Sequence, residues 1–486
     1  MTTSRNGLFK NIDWALVLCY LVLIVIGWIN IYASIHSSEP SSIFDPSGRS
    51  GKQFIWMGIS IVAAVLIIFA FNPRIYESLS LAVYISVIIL LIAVIFLGTE
   101  AKGSRSWFEF GQVRFQPAEI SKISTSLMLA TIMGQFGFKM SKTRNFLTVA
   151  GIILLPMLII IAQNETGSAL VYVGFAFVLY REGLSGWLLF IIGMAIVLFI
   201  MTLMVSPYAA IMFLAVVTSF CNAVCTGQMK DWWKKYFPTL LVLSFIPSAL
   251  RKIISTTETP GTFLLNFNPL YLLLAVIGIA IPVVVYHAYR KRHIFTYLVV
   301  AALASGILLV YSADFLFNNV LQDHQRKRIE VLLGMKEDPS GVGYNVNQSM
   351  IAIGSGGLLG KGYLNGTQTT YGFVPEQSTD FIFCTIGEEW GFVGATAVIL
   401  IYVFLIGRII HNAERSKESF TRIYGYCVAS CIFMHLFINI GMTIGLMPVI
   451  GIPLPFISYG GSSLLAFTVL LFIFIVLDSN EKRYFV

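Results

Sequence analysis

Residues 14 to 33 read WALVLCYLVLIVIGWINIYA, an unbroken apolar run without a charged side chain. A helix rises about 1.5 Å per residue, so about 20 such residues cross a hydrocarbon core of roughly 30 Å. Similar runs recur along the chain, and of its 486 residues 57% are hydrophobic while only 12% are charged. A soluble domain has about 25% charged residues. The composition therefore excludes a soluble enzyme, a disordered chain and a disulfide scaffold, and it predicts an all-α, polytopic transmembrane helix bundle.

The basic residues between the apolar runs predict how often the chain crosses the membrane. Cytoplasmic loops carry the excess of Lys and Arg. With the N-terminus inside, the short basic loops all fall inside only if the weakest run, 237–254, also crosses. We therefore predict about fourteen spans with both termini cytoplasmic. The runs are 14–34, 54–71, 79–98, 120–137, 146–162, 167–180, 187–205, 208–226, 237–254, 268–288, 296–317, 384–407, 421–444 and 463–477.

The net charge of +8 follows the same rule. Cytoplasmic loops of a membrane protein explain this charge better than a nucleic-acid partner does, and no nucleic acid is expected. The six cysteines contain no CxxC pair and lie in or beside apolar runs, and the six histidines are scattered. These patterns indicate neither a disulfide framework nor a metal cluster.

Three outward segments are long for this chain: 35–53, 99–118 and 318–381. Long ordered loops usually carry function. Within the longest, the Gly-rich stretch 341–368 lacks the spacing of a nucleotide-binding P-loop. We expect its glycines to turn the backbone tightly against the bilayer surface, with an amphipathic stretch at 347–353 lying in the interface.

The end of this loop places a carboxylate where the next span begins. Ser378-Thr379-Asp380 before an apolar run is a common helix start, so Asp380 as an N-cap is one interpretation. The other is a general base at the membrane surface, walled by apolar side chains. Glu388 and Glu389 lie two turns deeper. Because carboxylates inside a span are costly, we expect both to pair or to face an aqueous cavity.

Two further segments carry unusual residues. Lys102 and Arg105 are cationic on the outer face, against the usual bias, which indicates an anionic partner such as phosphate. Glu119 and Lys122, three positions apart where a span begins, form either a structural ion pair or part of a site. The segment 439–463 contains three prolines and five glycines. Such broken backbone exists at membrane depth only when it is buried in protein or lines a wet cavity.

This last segment resembles the signature of the SEDS family (shape, elongation, division and sporulation). The matching residues are Asn439, Gly441, Pro448, Gly451, Pro453, Pro455, Ser458, Tyr459, Gly460, Gly461 and Ser462. Other family motifs follow in the expected order: Gln116-Pro117 with Glu119 and Lys122, Gln163 with Gly167, the block 341–366, and Pro375-Glu376 followed by Thr379-Asp380-Phe381. Gly366-Thr367-Gln368 and the run 354–362 look more like the RodA branch of the family than the FtsW branch.

The resemblance implies three parts in the chain. Residues 1–186 and 296–486 are similar to the N- and C-terminal parts of the family core, and the latter includes the large extracytoplasmic loop 318–381. Residues 187–295 have no counterpart among the family's usual ten spans and form an inserted membrane segment without an assigned role. Three single positions also depart from the usual residue: Ser378 replaces His, Glu165 replaces Asp and Ala118 replaces Ser.

The resemblance also implies a GT-C-like fold and a peptidoglycan glycosyltransferase that polymerises lipid II during cell elongation and rod-shape maintenance. It would lie in the bacterial inner (cytoplasmic) membrane, with its active site on the extracytoplasmic side. Asp380 would take the proton of the acceptor sugar's 4-hydroxyl, whose oxygen displaces undecaprenyl diphosphate with inversion. The residues implied to bind substrate are Lys102, Arg105, Trp107, Gln116, Glu119, Lys122, Gln348, Ser355, Lys361, Glu376, Thr379, Ser458, Tyr459 and Ser462.

The leaving diphosphate needs positive charge. Its source is Lys102, Arg105, Lys122, Lys361 or a divalent ion, Mg²⁺ or Mn²⁺, and the sequence leaves this choice open, so no cofactor is assigned. The expected partners are lipid II, the undecaprenyl-linked glycan and a class B penicillin-binding protein, which is a transpeptidase. Broken helices and intramembrane carboxylates also suit a lipid II flippase. A noncatalytic morphogenetic scaffold is the third alternative.

The charge pattern makes a topological prediction. A reporter fused after Lys235 or Arg292 should be cytoplasmic, and one fused after Gly261 should be outside, because the run 237–254 is predicted to cross. Alkaline phosphatase and green fluorescent protein fusions distinguish the two sides. If the fusions after Gly261 and Arg292 report the same side, the spans assigned between 237 and 288 are wrong.

Overall fold

Each predicted apolar run corresponds to helical residues in the computed structural model of the protein. The structure describes residues 11–36, 42–70, 72–101, 104–111, 113–256, 269–319, 326, 330 and 342–485. The chain divides into two compact units, Met1–Ser185 with Glu337–Val486 and Gly186–Lys336. The predicted all-α class is therefore confirmed.

The described helices and strands, in chain order, are α1 (Trp14–Ile35), α2 (Arg49–Ala70), α3 (Pro73–Leu97), β1 (Thr99–Ala101), β2 (Ser104–Phe110), β3 (Val113–Phe115), α4 (Pro117–Met133), α5 (Thr143–Ala162), α6 (Thr166–Val171), a 3₁₀ turn (Tyr172–Gly174), α7 (Phe175–Arg181), α8 (Gly186–Met204), α9 (Pro207–Thr226), α10 (Met229–Asp231), a π-helical turn (Trp232–Tyr236), α11 (Phe237–Thr256), α12 (Pro269–Lys291), α13 (Ile294–Asn319), α14 (Val342–Ser355), α15 (Thr367–Thr370), α16 (Ile382–Arg415), α17 (Ser419–Thr443) and α18 (Gly461–Phe485). Local sequence explains several helix starts. The side chains of Asp13, Asn72 and Ser206 each accept a backbone N–H in the first turn of α1, α3 and α9.

Ten helices in the described part of the chain are long and apolar enough to cross a membrane. The protein is therefore a multi-pass membrane protein. The other four predicted runs lie on α4, on α6 with α7, on α8 and on α11. The count of fourteen spans and the side of the termini stay predictions.

Two C-terminal helices form the centre of the first unit. In their most apolar windows 83% of the residues of α17 and 78% of those of α18 are buried, against 28% for α2, α3 and α5. Lipid-facing helices can leave large apolar side chains uncovered, because the bilayer replaces protein as their apolar surrounding. The motif-bearing segment 444–460 therefore leads directly from one enclosed helix to the other.

The second unit contains α8 to α13 and has its own apolar core, which includes Leu198, Ile211, Leu214, Leu273 and Val310. The predicted insertion, 187–295, lies within this unit. Helix α13 also lies within this unit, although the sequence analysis assigned it to the family core. The division of the chain into a core and an insertion stays a prediction.

A small antiparallel sheet of order β1-β2-β3 occupies the outward segment between α3 and α4. The sequence analysis did not predict it, although Phe-Glu-Phe and Val-Arg-Phe alternate on either side of Gly111, whose φ is +62°. That alternation around a Gly-containing two-residue turn is a hairpin signal. The sheet is tied to the start of α6, because the Ser106 hydroxyl donates to Glu165 Oε2 at 3.0 Å.

A break in α16 at Gly391 receives the Gly-rich stretch of the long loop. Gly391 has φ +65° and ψ −163°, so helical hydrogen bonding stops there. The loop satisfies the groups that the break frees: the Lys361 N–H donates to Glu388 O at 3.0 Å, and the Phe392 N–H donates to Gly357 O at 2.9 Å. Gly357, Gly360 and Gly362 have positive φ, so the predicted tight turns are present, while their place against the bilayer surface stays a prediction. The predicted amphipathic stretch at 347–353 is helical, as part of α14.

We predict that Gly391→Ala destabilises the protein by about 1–3 kcal/mol or more, because alanine is strained at a positive φ. A Cβ at this position would also lie 2.2 Å from the Gly360 nitrogen. Thermal unfolding of the purified protein in detergent measures the loss. Gly407→Ala in the same helix is the control, since no described atom lies within 4 Å of the Cβ it adds. Equal melting temperatures for the two variants would contradict the prediction.

Candidate functional site

Three consecutive backbone carbonyls hold the segment that carries Asp380. The Ser378 carbonyl accepts the Tyr459 N–H at 2.9 Å, and the Thr379 carbonyl accepts the Ser458 hydroxyl at 2.5 Å. The Asp380 carbonyl accepts Asn439 Nδ2 at 2.9 Å. The backbone on both sides of the Asp380 side chain is thus fixed by the segment before α18 and by α17. Such preorganisation is what a reacting side chain requires.

The turn before α16 separates the two interpretations of Asp380. The N-cap position of this helix is occupied by Phe381 and not by Asp380. The turn is closed by the Glu376 carbonyl, which accepts the N–H groups of Thr379, Asp380 and Phe381 at 3.1–3.3 Å. Glu376 has φ +53°, which is unusual for a residue other than glycine. The helix begins without Asp380 at its cap position, and a strained turn sets the direction of the loop.

The Asp380 carboxyl group lies beside the broken segment 444–460. A Cβ built on Gly451 would lie 3.3 Å from Asp380 Oδ2, so a larger residue there would crowd the carboxylate. Asn439 links the turn before α16 to the broken segment, because its Nδ2 donates to Asp380 O and, at 2.7 Å, to Ile452 O. Non-helical backbone at membrane depth must be satisfied by protein, and here it is.

The predicted pair of Glu119 and Lys122 is a buried ion pair. The Lys122 Nζ lies 2.9 Å from Glu119 Oε1, and the two side chains are 2% and 3% exposed. Lys122 also donates to Nε2 of His435 at 2.8 Å. Because an ammonium group has only donors, Nδ1 of His435 carries the ring proton and donates it to Pro453 O at 3.1 Å. Through His435 the pair thus holds the broken segment at Pro453, next to the Ile452 carbonyl that Asn439 holds.

Glu388 accepts hydrogen bonds from two of the predicted site residues, Lys361 and Ser355. Its side chain is 0% exposed, and its Oε1 accepts Lys361 Nζ at 2.7 Å, the Ser355 hydroxyl at 3.3 Å and the Gln368 N–H at 2.9 Å. Its Oε2 accepts the N–H and the hydroxyl of Thr369 at 2.9 and 2.8 Å. The expectation that this carboxylate pairs is confirmed. Lys361 and Ser355 are thereby engaged in fastening the long loop to α16.

Glu389 differs from its neighbour. Its side chain is 1% exposed, and neither carboxylate oxygen has a hydrogen-bond partner within the described ranges. Tyr363, in the loop beside it, is also partly buried. Burial raises the pKa of Tyr363 to about 12, and the charges of Glu389 and Tyr32 act in the same direction. Glu389 therefore has no ion-pair partner among the described residues, and the other expected arrangement, facing an aqueous cavity, stays a prediction.

The remaining predicted site residues are more dispersed. Arg105 and Trp107 lie on β2, where Arg105 is 60% exposed and 3.6 Å from Glu100. Gln116 is the buried N-cap residue of α4, Gln348 lies on α14, and Ser462 lies in the first turn of α18. Lys102 lies outside the described residues. The structure brings Glu376, Thr379, Ser458 and Tyr459 together around Asp380.

Three residues in contact with this arrangement were not predicted to have a role in it: Asn439, His435 and Arg49. Asn439 belongs to the segment that carries the resemblance, which was a signal that it matters. His435 precedes it by one helical turn on α17, and this spacing places both side chains on the same face. Arg49 donates from Nη1 to the Ser378 hydroxyl at 2.8 Å across 329 positions, and no sequence spacing indicates that contact.

The arrangement presents one anchored carboxyl group beside a broken helix. Such a group can accept a proton from a hydroxyl bound next to it. Within the described ranges, no group of three or more His, Cys, Asp and Glu side chains could hold a metal ion. No residue set for the divalent ion considered above can therefore be named, and no step below depends on one.

Comparison with known proteins places the sequence of this chain in a family. The sequence pattern of the FtsW, RodA and SpoVE family, described as "Cell cycle protein", matches residues 13–232 and 264–483. The peptidoglycan glycosyltransferase MrdB of Escherichia coli (strain K12) is 30% identical over 456 residues, which are 94% of this chain and 90% of MrdB. The peptidoglycan glycosyltransferase RodA of Treponema pallidum is 29% identical and covers 94% of each chain.

A solved structure gives the same result for the fold. One chain of a solved structure, described as "Structural coordination of polymerization and crosslinking by a peptidoglycan synthase complex", superimposes on this protein with a TM-score of 0.59 at 22% sequence identity. The match covers 97% of this chain and 99% of that chain.

We predict that Lys122→Met destabilises the protein by about 3–5 kcal/mol, because it leaves the Glu119 carboxylate buried without its cation. Adding Glu119→Gln should restore much of the loss, since no buried charge then remains. Thermal unfolding in detergent measures both changes. Arg114→Met is the matched control, because Arg114 pairs with Glu109 at 2.7 Å while 67% exposed. Exposed pairs contribute about 0.2–1 kcal/mol. A double variant less stable than Lys122→Met would contradict the argument.

Proposed function

Because the chain belongs to the FtsW, RodA and SpoVE family of cell cycle proteins, we propose that it is a peptidoglycan glycosyltransferase that polymerises lipid II. Two relatives that align along nearly its whole length carry that enzyme name. The observation that supports the proposal in this chain is the anchoring of Ser378, Thr379 and Asp380 by three carbonyl hydrogen bonds. A noncatalytic scaffold has no need of a carboxyl group fixed in this way, and the assay below separates polymerisation from lipid flipping.

In the proposed reaction Asp380 is the general base. Its carboxylate takes the proton of the acceptor's 4-hydroxyl as that oxygen forms a bond to the anomeric carbon of the growing chain. The bond from that carbon to undecaprenyl diphosphate breaks, the electron pair leaves with the diphosphate, and the configuration inverts. Glu376, Thr379, Ser458 and Tyr459 contribute by holding the backbone of the base.

The contacts of the candidate cations support one proposed source of positive charge for the diphosphate. Lys122 is bound to Glu119 and His435, and Lys361 is bound to Glu388 and Thr367. Moving either lysine to a ligand would leave a buried carboxylate without its partner, which is costly. Arg105 is exposed and its distance to Glu100 is 3.6 Å, so it can turn to an anion at little cost. We therefore assign the diphosphate to Arg105 and, from the sequence alone, to Lys102.

The same proposal places the site on the extracytoplasmic side of the bacterial inner membrane and pairs the protein with a class B penicillin-binding protein. The solved complex with the same fold is described as coordinating polymerization and crosslinking, which fits a transpeptidase partner. Gly366-Thr367-Gln368 supports a role in elongation. One assay separates the alternatives: purified protein with labelled lipid II, with and without the transpeptidase, scored for polymer and for lipid flipping.

We predict that Asp380→Asn lowers the rate of polymer formation by about 10²–10⁴-fold, because an amide cannot accept the proton. Membrane abundance and melting temperature should stay unchanged, since the backbone carbonyls that anchor the loop remain. Polymer formed per mole of folded protein is the decisive measurement. Wild-type polymer from this variant would exclude Asp380 as the base.

Glu389→Gln is the matched control in the adjoining helix. It removes a buried carboxyl group with no observed partner, and a neutral amide costs no more to bury than a carboxylate. We expect polymer formation close to that of the wild type. An equal loss in both variants would show that the measurement responds to negative charge in this region and not to a base.

A further inference from the structure

A stripe of three residues on α2 contacts both segments that form the Asp380 site, the turn 376–380 and the segment 458–461. Arg49, Gln53 and Trp56 are spaced by four and three positions, which places them on one face of the helix. The Gly460 N–H donates to Gln53 Oε1 at 3.4 Å, and a Cβ on Gly461 would lie 2.1 Å from the Trp56 ring. Gln53 and Trp56 therefore hold α2 against residues 460 and 461, where the loop leads into α18.

Arg49, the remaining residue of this stripe, contacts the turn that carries Asp380. Arg49 is the first residue of α2, and its Nη1 donates to Ser378 Oγ at 2.8 Å. The Ser378 side chain is 0% exposed, whereas Arg49 is exposed. A charged donor makes a stronger hydrogen bond to a hydroxyl than a neutral donor does. The buried hydroxyl is thus a fixed point for the guanidinium, two residues before Asp380.

The contact closes a ring of restraints around the base. The segment 458–460 holds the carbonyls of Ser378 and Thr379 on one side and Gln53 of α2 on the other. Arg49 joins α2 directly to the Ser378 side chain. Asp380 follows Ser378 by two residues, so a shift of the Ser378 side chain would move the short segment that carries the base. The Arg49 contact opposes that shift from α2 and adds a side-chain restraint to the backbone hydrogen bonds.

We propose that Arg49 is a positioning residue for Asp380 and acts on it through the Ser378 hydroxyl. The inference rests on the proposed function, in which Asp380 is the base. It assigns to Arg49 an effect on the rate of the chemical step, not on substrate affinity. Misplacing a reacting group by about 1 Å can cost about 100-fold in rate.

The test is a double-variant cycle read as kcat and KM for labelled lipid II. Arg49→Ala and Ser378→Ala should each lower kcat by about 10- to 100-fold. KM should stay within about twofold of the wild type, because neither residue is assigned a substrate contact. The double variant should be no slower than Arg49→Ala alone, since both changes remove the same contact. Arg49→Lys should recover part of the rate, because it retains a charged donor.

Lys52→Ala is the matched control, because Lys52 is an exposed cation one turn further along the same helix. It should leave kcat unchanged. The proposal is overturned if Arg49→Ala raises KM at constant kcat, if the effects of the two single variants multiply, or if Lys52→Ala slows the enzyme equally. Ser378→Ala keeps the test informative should Arg49→Ala fold poorly, since serine and alanine differ by one atom at a buried position.

Asp380→Asn assayed in parallel separates the two ideas. If it forms polymer at the wild-type rate, the proposed base is wrong and the inference about Arg49 is overturned with it. If it is inactive while Arg49→Ala and Ser378→Ala match the wild type, the base assignment is retained and only the positioning role of Arg49 is rejected.

Discussion

Backbone polar groups that leave the helical conformation inside a membrane must find hydrogen-bond partners within the protein. The first unit meets this requirement in two places. At Gly391 the long loop supplies both donors and acceptors to the broken helix α16. Before α18, the carbonyls of Ile452, Pro453 and Pro455 accept the side chains of Asn439, His435 and Tyr402. These two sets of hydrogen bonds hold the loops around Asp380 in shape.

Buried charges serve the same purpose. Lys122 is stabilised by Glu119 and passes a hydrogen bond through His435 to the broken segment. Glu388 is stabilised by Lys361 and by five donors of the loop that it fastens. Such pairs contribute little net stability compared with apolar packing, but losing one partner is costly. Each of these pairs joins a loop to a helix, so losing a partner would also release that loop.

Asp380 stands where these two systems meet. The segment fixed by Asn439 and His435 supplies Ser458 and Tyr459, which hold the backbone of the base. The long loop fixed by Glu388 ends in the turn at Glu376 that leads to it. Preorganised backbone around one carboxyl group fits proton abstraction, in which the reacting atoms must be placed before the step begins.

The sequence by itself determined the membrane class, the helical runs and the family, because apolar length, loop charge and motif order are local properties of the chain. It also indicated the Glu119–Lys122 pair, since those residues are three positions apart on one helix. The tertiary structure alone decided that Glu388 is paired while Glu389 is not, although the two are adjacent and chemically identical. It also decided that Lys361 serves Glu388 and that Arg49 serves Ser378. Those contacts join residues from 27 to 329 positions apart, and no periodicity of the sequence specifies which distant groups folding will bring together.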